Sequence, residues 1–273
     1  MTNVVKRLPP GFFESAIIRA LVFIFSLQKR ILNLISIFIN LCKMNIDAIK
    51  RPERALIIDI DQTIANSFEN PDFLDKYEIY TNPDVLAKFK NIQTYSMIIS
   101  KSGQRTRIWG LFRPHLKEFL DFVSKYFDHI IIWSAGTESY VKEIIEQMER
   151  TYGIAPGKMI WARDKCVRAP NNFHKPIACL EQDLQKRYYS SIHIDPKLTL
   201  ILDDKLYTFV ENPNNGVLIP AFSPGDGQKA PTLKQLLDIT DDALLQFISW
   251  LQQPEVQNAT DYSKLPKDRI FRQ

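Results

Sequence analysis

The sequence predicts an α/β fold, a Rossmann-like parallel sheet with helices packed on its faces. Three observations predict it. Apolar runs at Ala55–Ile58, His129–Trp133 and Thr199–Leu202 have the length and β-branched content of strands buried on both faces. Helical spacing of apolar residues follows over 114–126, 139–151 and 175–187. Each apolar run also ends in polar residues: Asp59, Ser134 and the pair Asp203-Asp204. Strands that alternate with helices pair in parallel, and polar residues at their C-terminal ends face one crevice.

The chain opens on a different pattern. Residues 12–43 are apolar and basic, with Lys29, Asn33, Ser36, Asn40 and Lys43 recurring at steps of four and three. That is the period of an amphipathic helix. The uncharged stretch from Ile31 to Cys42 is too short to span a bilayer. Segment 1–43 is therefore expected to lie on a membrane surface, on a partner protein or on the body of the chain, unless translation begins at Met44. Residues 1–54 carry nine of the 35 Lys and Arg but three of the 31 Asp and Glu. The rest of the chain is slightly acidic, so no direct nucleic-acid partner is expected. Three cysteines without paired spacing fit a reducing, intracellular setting better than a disulfide framework or zinc site.

Three further elements follow. Thr94–Ile99 and Thr106–Trp109 flank Lys101-Ser102-Gly103-Gln104, a hairpin pattern inserted between the first two strands. Residues 232–252 read as one closing amphipathic helix after Pro231. Residues 53–253 thus form the body, and 254–273 a loose polar tail.

The segment Ile57-Ile58-Asp59-Ile60-Asp61-Gln62-Thr63 carries the sharpest chemical signal. Two carboxylates at the end of a buried run cost desolvation energy unless a cation compensates, which points to a metal or an ion pair.

The stretch LIIDIDQTIANS resembles the Asp-x-Asp-x-Thr signature of the haloacid dehalogenase superfamily, in the form found in C-terminal-domain phosphatases. The likeness continues in order. It runs through Arg113-Pro114-His115, HIIIWSAGTESYVKEII, Arg163 with Cys166, NFHKPIACL and LTLILDDKLYTFVENPNNGVLIPAF, over roughly residues 53–225. It implies a haloacid dehalogenase-type fold with a small hairpin insertion and no large cap. It also implies a Mg²⁺-dependent phosphatase of phosphoserine or phosphothreonine in proteins. Asp59 would be the nucleophile and Asp61 the acid and base. The side chains of Asp59 and Asp204 and the carbonyl of Asp61 would hold the metal. Ser134 and Lys175 would act on the phosphate, Thr63 and Arg113 would help bind it, and Asp203 would orient Lys175. Phosphatases of small molecules or nucleic-acid ends, and a binding module on the same fold, are the alternatives.

Overall fold

A computed structural model describes residues 24, 27–36, 53–69, 76, 81–88, 93–101, 104–157, 159–170, 172–186, 192–225 and 230–271. The chain divides into residues 1–51 and 52–273. Most of the amphipathic N-terminal pattern, and the hairpin residues Ser102 and Gly103, lie outside the described residues. Residues 27–36 are helical. Among the described residues, no helix is long and apolar enough to cross a membrane.

The strands are β1 Ala55–Ile58, β2 Ala65–Phe68, β3 Thr94–Lys101, β4 Gln104–Phe112 and β5 His129–Trp133. After them come β6 Met159–Trp161, β7 Val167–Arg168, β8 Phe173–His174, β9 Thr199–Asp203 and β10 Gly216–Leu218. The helices are α1 Pro83–Lys88, α2 Leu116–Tyr126, α3 Glu138–Tyr152, α4 Ile177–Lys186, α5 Leu233–Leu237, α6 Ala243–Leu251 and α7 Pro254–Gln257.

Five parallel strands form the central sheet in the order β10-β9-β1-β5-β6. The first strand in sequence is therefore the middle strand in space, which places a crevice at its C-terminal end. Side chains alternate across the sheet. Leu56 and Ile58 join one core with Phe119 of α2, Ile144 of α3 and Phe247 of α6. Ala55 and Ile57 join the other with Trp133, Trp161 and Leu180 of α4. Leu56, Ile57 and Ile58 are all fully buried, and each such side chain contributes about 1.5–3 kcal/mol by leaving water.

The predicted hairpin is present as β3 and β4, and β2 completes a three-stranded antiparallel sheet in the order β2-β4-β3. β2 escapes sequence reading because its four residues, Ala-Asn-Ser-Phe, carry no strand pattern. β6 and β10, with three residues each, escape for their shortness.

Two expectations are corrected. The closing helix is broken: α5 ends at Leu237 and α6 begins at Ala243. The break is stabilised by Asp241, which leaves the helical path to meet the buried Arg113. Arg113 Nε donates to one carboxylate oxygen at 2.8 Å and Nη2 to the other at 2.9 Å. The C-terminal residues are also not a loose tail. Val256, Tyr262 and Ile270 are buried in the same core as α2 and α6. Their apolar spacing is too sparse to read from the sequence.

Two outcomes follow for stability. Asp241→Ala leaves the Arg113 guanidinium buried without its partner and is expected to cost about 3–5 kcal/mol. The check is a lower denaturant midpoint at unchanged m-value. Tyr262→Ala empties a fully buried site and is expected to cost about 3–5 kcal/mol in the same assay. A loose tail would tolerate the change with no shift.

Candidate active site

The three central strands deliver their terminal polar residues to one place. Asp59 follows β1, Ser134 follows β5, and Asp203 and Asp204 end and follow β9. The Asp59 amide donates to the Leu202 carbonyl at 3.0 Å, so the two acidic termini are locked side by side. Past Asp59 the chain turns tightly. The amides of Thr63, Ile64 and Ala65 all donate to the Ile60 carbonyl, at 3.2, 3.0 and 3.0 Å. Buried Ile60 and Ile64 anchor this turn, and Gln62 takes a left-handed φ of 62°.

Lys175 is the centre of the cluster. It lies two residues before α4 and is 1% exposed. Its Nζ donates to Asp59 Oδ1 at 2.5 Å and to Asp203 Oδ2 at 2.6 Å. Burial alone would lower the Lys175 pKa, but Asp59 and Asp203 outweigh it and hold the ammonium above the ordinary lysine range. Burial pushes the Asp59 carboxyl upward, against the pull of Lys175.

The other Asp203 oxygen accepts the Lys205 amide at 2.9 Å, so both of its oxygens are engaged. The Asp204 amide donates to Thr63 Oγ1 at 3.2 Å. Asp204 Oδ2 is buried and accepts no well-directed hydrogen bond. Lys205 Nζ stands 2.5 Å from it, and donates to Gln62 Oε1 at 2.7 Å.

Carboxylate oxygens of Asp59, Asp203 and Asp204 lie within 4.8 Å of one another, a spacing that could hold a metal ion. Asp59, Asp203 and Asp204 bring three carboxylates against the two ammonium groups of Lys175 and Lys205. An all-oxygen donor set with surplus negative charge fits a hard divalent cation. Asp203 already has a hydrogen bond on each of its oxygens.

Asp61 faces the opposite wall. Tyr140 Oη donates to its Oδ1 at 2.5 Å, and Ser134 Oγ stands 3.4 Å from its Oδ2. Burial raises the Asp61 pKa against these hydrogen bonds. Ser134 Oγ accepts the Gly136 amide at 2.9 Å. The N-cap of α3 is Thr137.

Six of the residues picked from sequence thus meet at one site: Asp59, Asp61, Ser134, Lys175, Asp203 and Asp204. Two expected phosphate contacts do not. Arg113 is buried, and its donors go to Asp241, the Thr63 carbonyl at 2.9 Å and the Pro220 carbonyl at 2.8 Å. Thr63 is fully buried, and its hydroxyl holds the Asp204 amide. Both brace the site from below. Cys166 is half-buried against Trp133, whose Nε1 lies 3.2 Å from its Sγ, and burial raises its pKa. That suits packing rather than thiolate chemistry.

Tyr140 and Lys205 were not picked from sequence. Tyr140 falls on the apolar stripe of α3 with Val141, Ile144 and Met148, so its period marks it as core. The one signal in the sequence was its hydroxyl, since a buried tyrosine requires a polar partner.

The family model for NLI interacting factor-like phosphatases matches residues 54–249. An RNA polymerase II C-terminal domain phosphatase of Schizosaccharomyces pombe is 23% identical over 181 residues, 64% of this chain and 22% of that protein. CTD small phosphatase-like protein 3 of Caenorhabditis elegans is 26% identical over 171 residues, 63% of this chain and 48% of that protein. The chain therefore spans less than half the length of each. A solved structure of Fcp1, an essential RNA polymerase II CTD phosphatase, aligns with a TM-score of 0.49 at 17% identity. The alignment covers 79% of this chain and 59% of that one. The family match takes in most of the chain and every residue of the acidic cluster: the chain belongs to the NLI interacting factor-like phosphatase family.

Proposed function

We propose that the protein is a Mg²⁺-dependent phosphatase of phosphoserine or phosphothreonine in protein chains, working through an aspartyl phosphate on Asp59. The observation that carries this reading is the buried Lys175 held between Asp59 and Asp203, with Asp204 beside them and Asp61 on the facing wall. This arrangement supplies a nucleophile, a fixed cation, a metal-binding carboxylate and a separate proton carrier, the parts that phosphoryl transfer requires.

In the first step an Asp59 oxygen attacks phosphorus, and the bond to the seryl or threonyl oxygen breaks. Asp61 delivers its proton to that leaving oxygen. In the second step Asp61, now a carboxylate, takes a proton from water as the water oxygen attacks phosphorus. Inorganic phosphate leaves, and Asp59 and protonated Asp61 are restored. Lys175 offsets negative charge on the phosphoryl oxygens while Asp203 holds its ammonium in place. The Ser134 hydroxyl is placed to donate to the phosphate. The side chains of Asp59 and Asp204, with the Asp61 carbonyl, would hold Mg²⁺. Bound there, it would neutralise developing charge as a Lewis acid.

Two considerations support a protein substrate. Between β1 and β5 the described residues hold a three-stranded sheet, the six-residue α1 and α2, which packs in the main core, rather than a helical cap. The relatives are themselves named as C-terminal domain phosphatases.

With the full chain and an aryl phosphate, turnover is expected in Mg²⁺, to vanish with chelator, and to fall at least about a thousandfold in Asp59→Asn. A folded chain that is inactive in Mg²⁺, or an Asp59→Asn variant as active as the parent, moves the binding-module reading ahead. In a substrate panel, kcat/KM is expected to favour a phosphoserine peptide over nucleotides by about tenfold or more. The reverse order assigns the site to small molecules or nucleic-acid ends.

A further inference from the structure

We propose that Tyr140 is a positioning residue for Asp61, and that Ser67 and Tyr95 hold the Tyr140 hydroxyl in place. The proposal rests on the phosphatase reading above, since it concerns how the proton carrier of that reaction is oriented.

The observation is a chain of three hydroxyls ending on one carboxylate. Tyr95 Oη lies 2.7 Å from Ser67 Oγ, Ser67 Oγ lies 2.9 Å from Tyr140 Oη, and Tyr140 Oη lies 2.5 Å from Asp61 Oδ1. Tyr140 donates to Asp61 Oδ1, and each hydroxyl has one proton to give. The direction of the whole chain is therefore set. Tyr140 donates to Asp61, Ser67 donates to Tyr140, and Tyr95 donates to Ser67. Hydrogen bonds aligned in this way polarise one another, most strongly away from water. Tyr95 and Tyr140 are both buried, and Ser67 is half-buried.

The antiparallel sheet is built to make this chain. Ser67 on β2 and Tyr95 on β3 both pair in register with Gly110 on the strand between them. The Tyr95 side chain crosses over Gly110 to reach Ser67. A Cβ at position 110 would overlap the Tyr95 ring and hydroxyl and come within 2.5 Å of the Asn66 carbonyl oxygen. Glycine is thus required for the hydroxyl of one outer strand to meet the other. Packing alone asks for none of these three hydroxyls.

The consequence concerns which oxygen of Asp61 works. Tyr140 occupies Oδ1, whereas Oδ2 has only the Ser134 hydroxyl at 3.4 Å. The mobile proton then belongs to Oδ2, and the hydroxyl chain keeps the carboxyl from rotating that oxygen out of line. Unlike Ser134, which reaches Asp61 from the end of β5, this support comes from α3 and from the inserted sheet.

The test separates proton delivery from general loosening. A seryl oxygen leaves with a proton from Asp61, whereas nitrophenolate is a stable anion that leaves without one. In rapid-quench measurements on the full chain, Tyr140→Phe is expected to slow aspartyl-phosphate formation from a phosphoserine peptide by about tenfold to a hundredfold. KM should stay within about twofold, since a positioning residue contributes little to ground-state binding. The loss with p-nitrophenyl phosphate should be at least about tenfold smaller. Ser67→Ala should show a smaller loss with the same dependence on the leaving group, and carries the test if Tyr140→Phe does not fold. Equal losses on both substrates, or no loss on the peptide, overturn the proposal and leave the phosphatase reading standing. A parent chain that forms no aspartyl phosphate from either substrate overturns both.

Discussion

The ion pair of Lys175 with Asp59 and Asp203 is the constraint on which the site is built. An ammonium buried at the end of a parallel sheet is costly unless carboxylates meet it at hydrogen-bond distance, and here two do, at 2.5 and 2.6 Å. The pairing draws together three stretches of chain: the end of β1, the end of β9 and the approach to α4. It also gives the acids unequal standing. Asp203 spends one oxygen on Lys175 and the other on the Lys205 amide, so it acts as a fixed strut. Asp59 and Asp204 keep donor capacity toward the crevice. The carboxylates of Asp59, Asp203 and Asp204 exceed the nearby lysines, and this surplus is the electrostatic reason a divalent cation suits the site.

Beneath the acids lies a second buried pair with a different task. Arg113 binds Asp241, the Thr63 carbonyl and the Pro220 carbonyl together. In doing so it fastens the turn after β1 to the loop beyond β10 and to the approach of α6. Thr63 connects the two layers, accepting the Asp204 amide on its hydroxyl while its carbonyl accepts from Arg113. The acidic cluster is thus held from above by a lysine and from below by an arginine. The proposed chemistry belongs to the first, and the second braces it.

The inserted antiparallel sheet has its own part in the site. Its hydroxyls at Ser67 and Tyr95 reach Tyr140 and through it Asp61. In the proposed mechanism, nucleophile and proton carrier are consequently held by separate structures. Asp59 is held by the parallel sheet and Lys175, and Asp61 by α3 and the insertion. Two carboxylates two residues apart in sequence acquire different environments, which is how one turn can present both a nucleophile and an acid.

The sequence alone determined three of the five parallel strands, the helices that follow them and five polar residues at the crevice, Asp59, Asp61, Ser134, Asp203 and Asp204, because these follow from local patterns, whereas Lys175 came from the family resemblance. An apolar run makes a buried strand, and its last residue must face the strand ends. The sequence also determined the hairpin, from a turn and two β-rich flanks. Only the tertiary structure decided which partner each side chain takes. Lys175 and Asp59 are 116 residues apart, Arg113 and Asp241 are 128 apart, and Tyr140 and Asp61 are 79 apart. No local periodicity encodes such pairings, so Arg113 read as a phosphate ligand, Tyr140 as core and residues 254–273 as a tail. A buried guanidinium, hydroxyl or aromatic ring takes its role from what the folded chain brings against it, and that is settled by packing at long range.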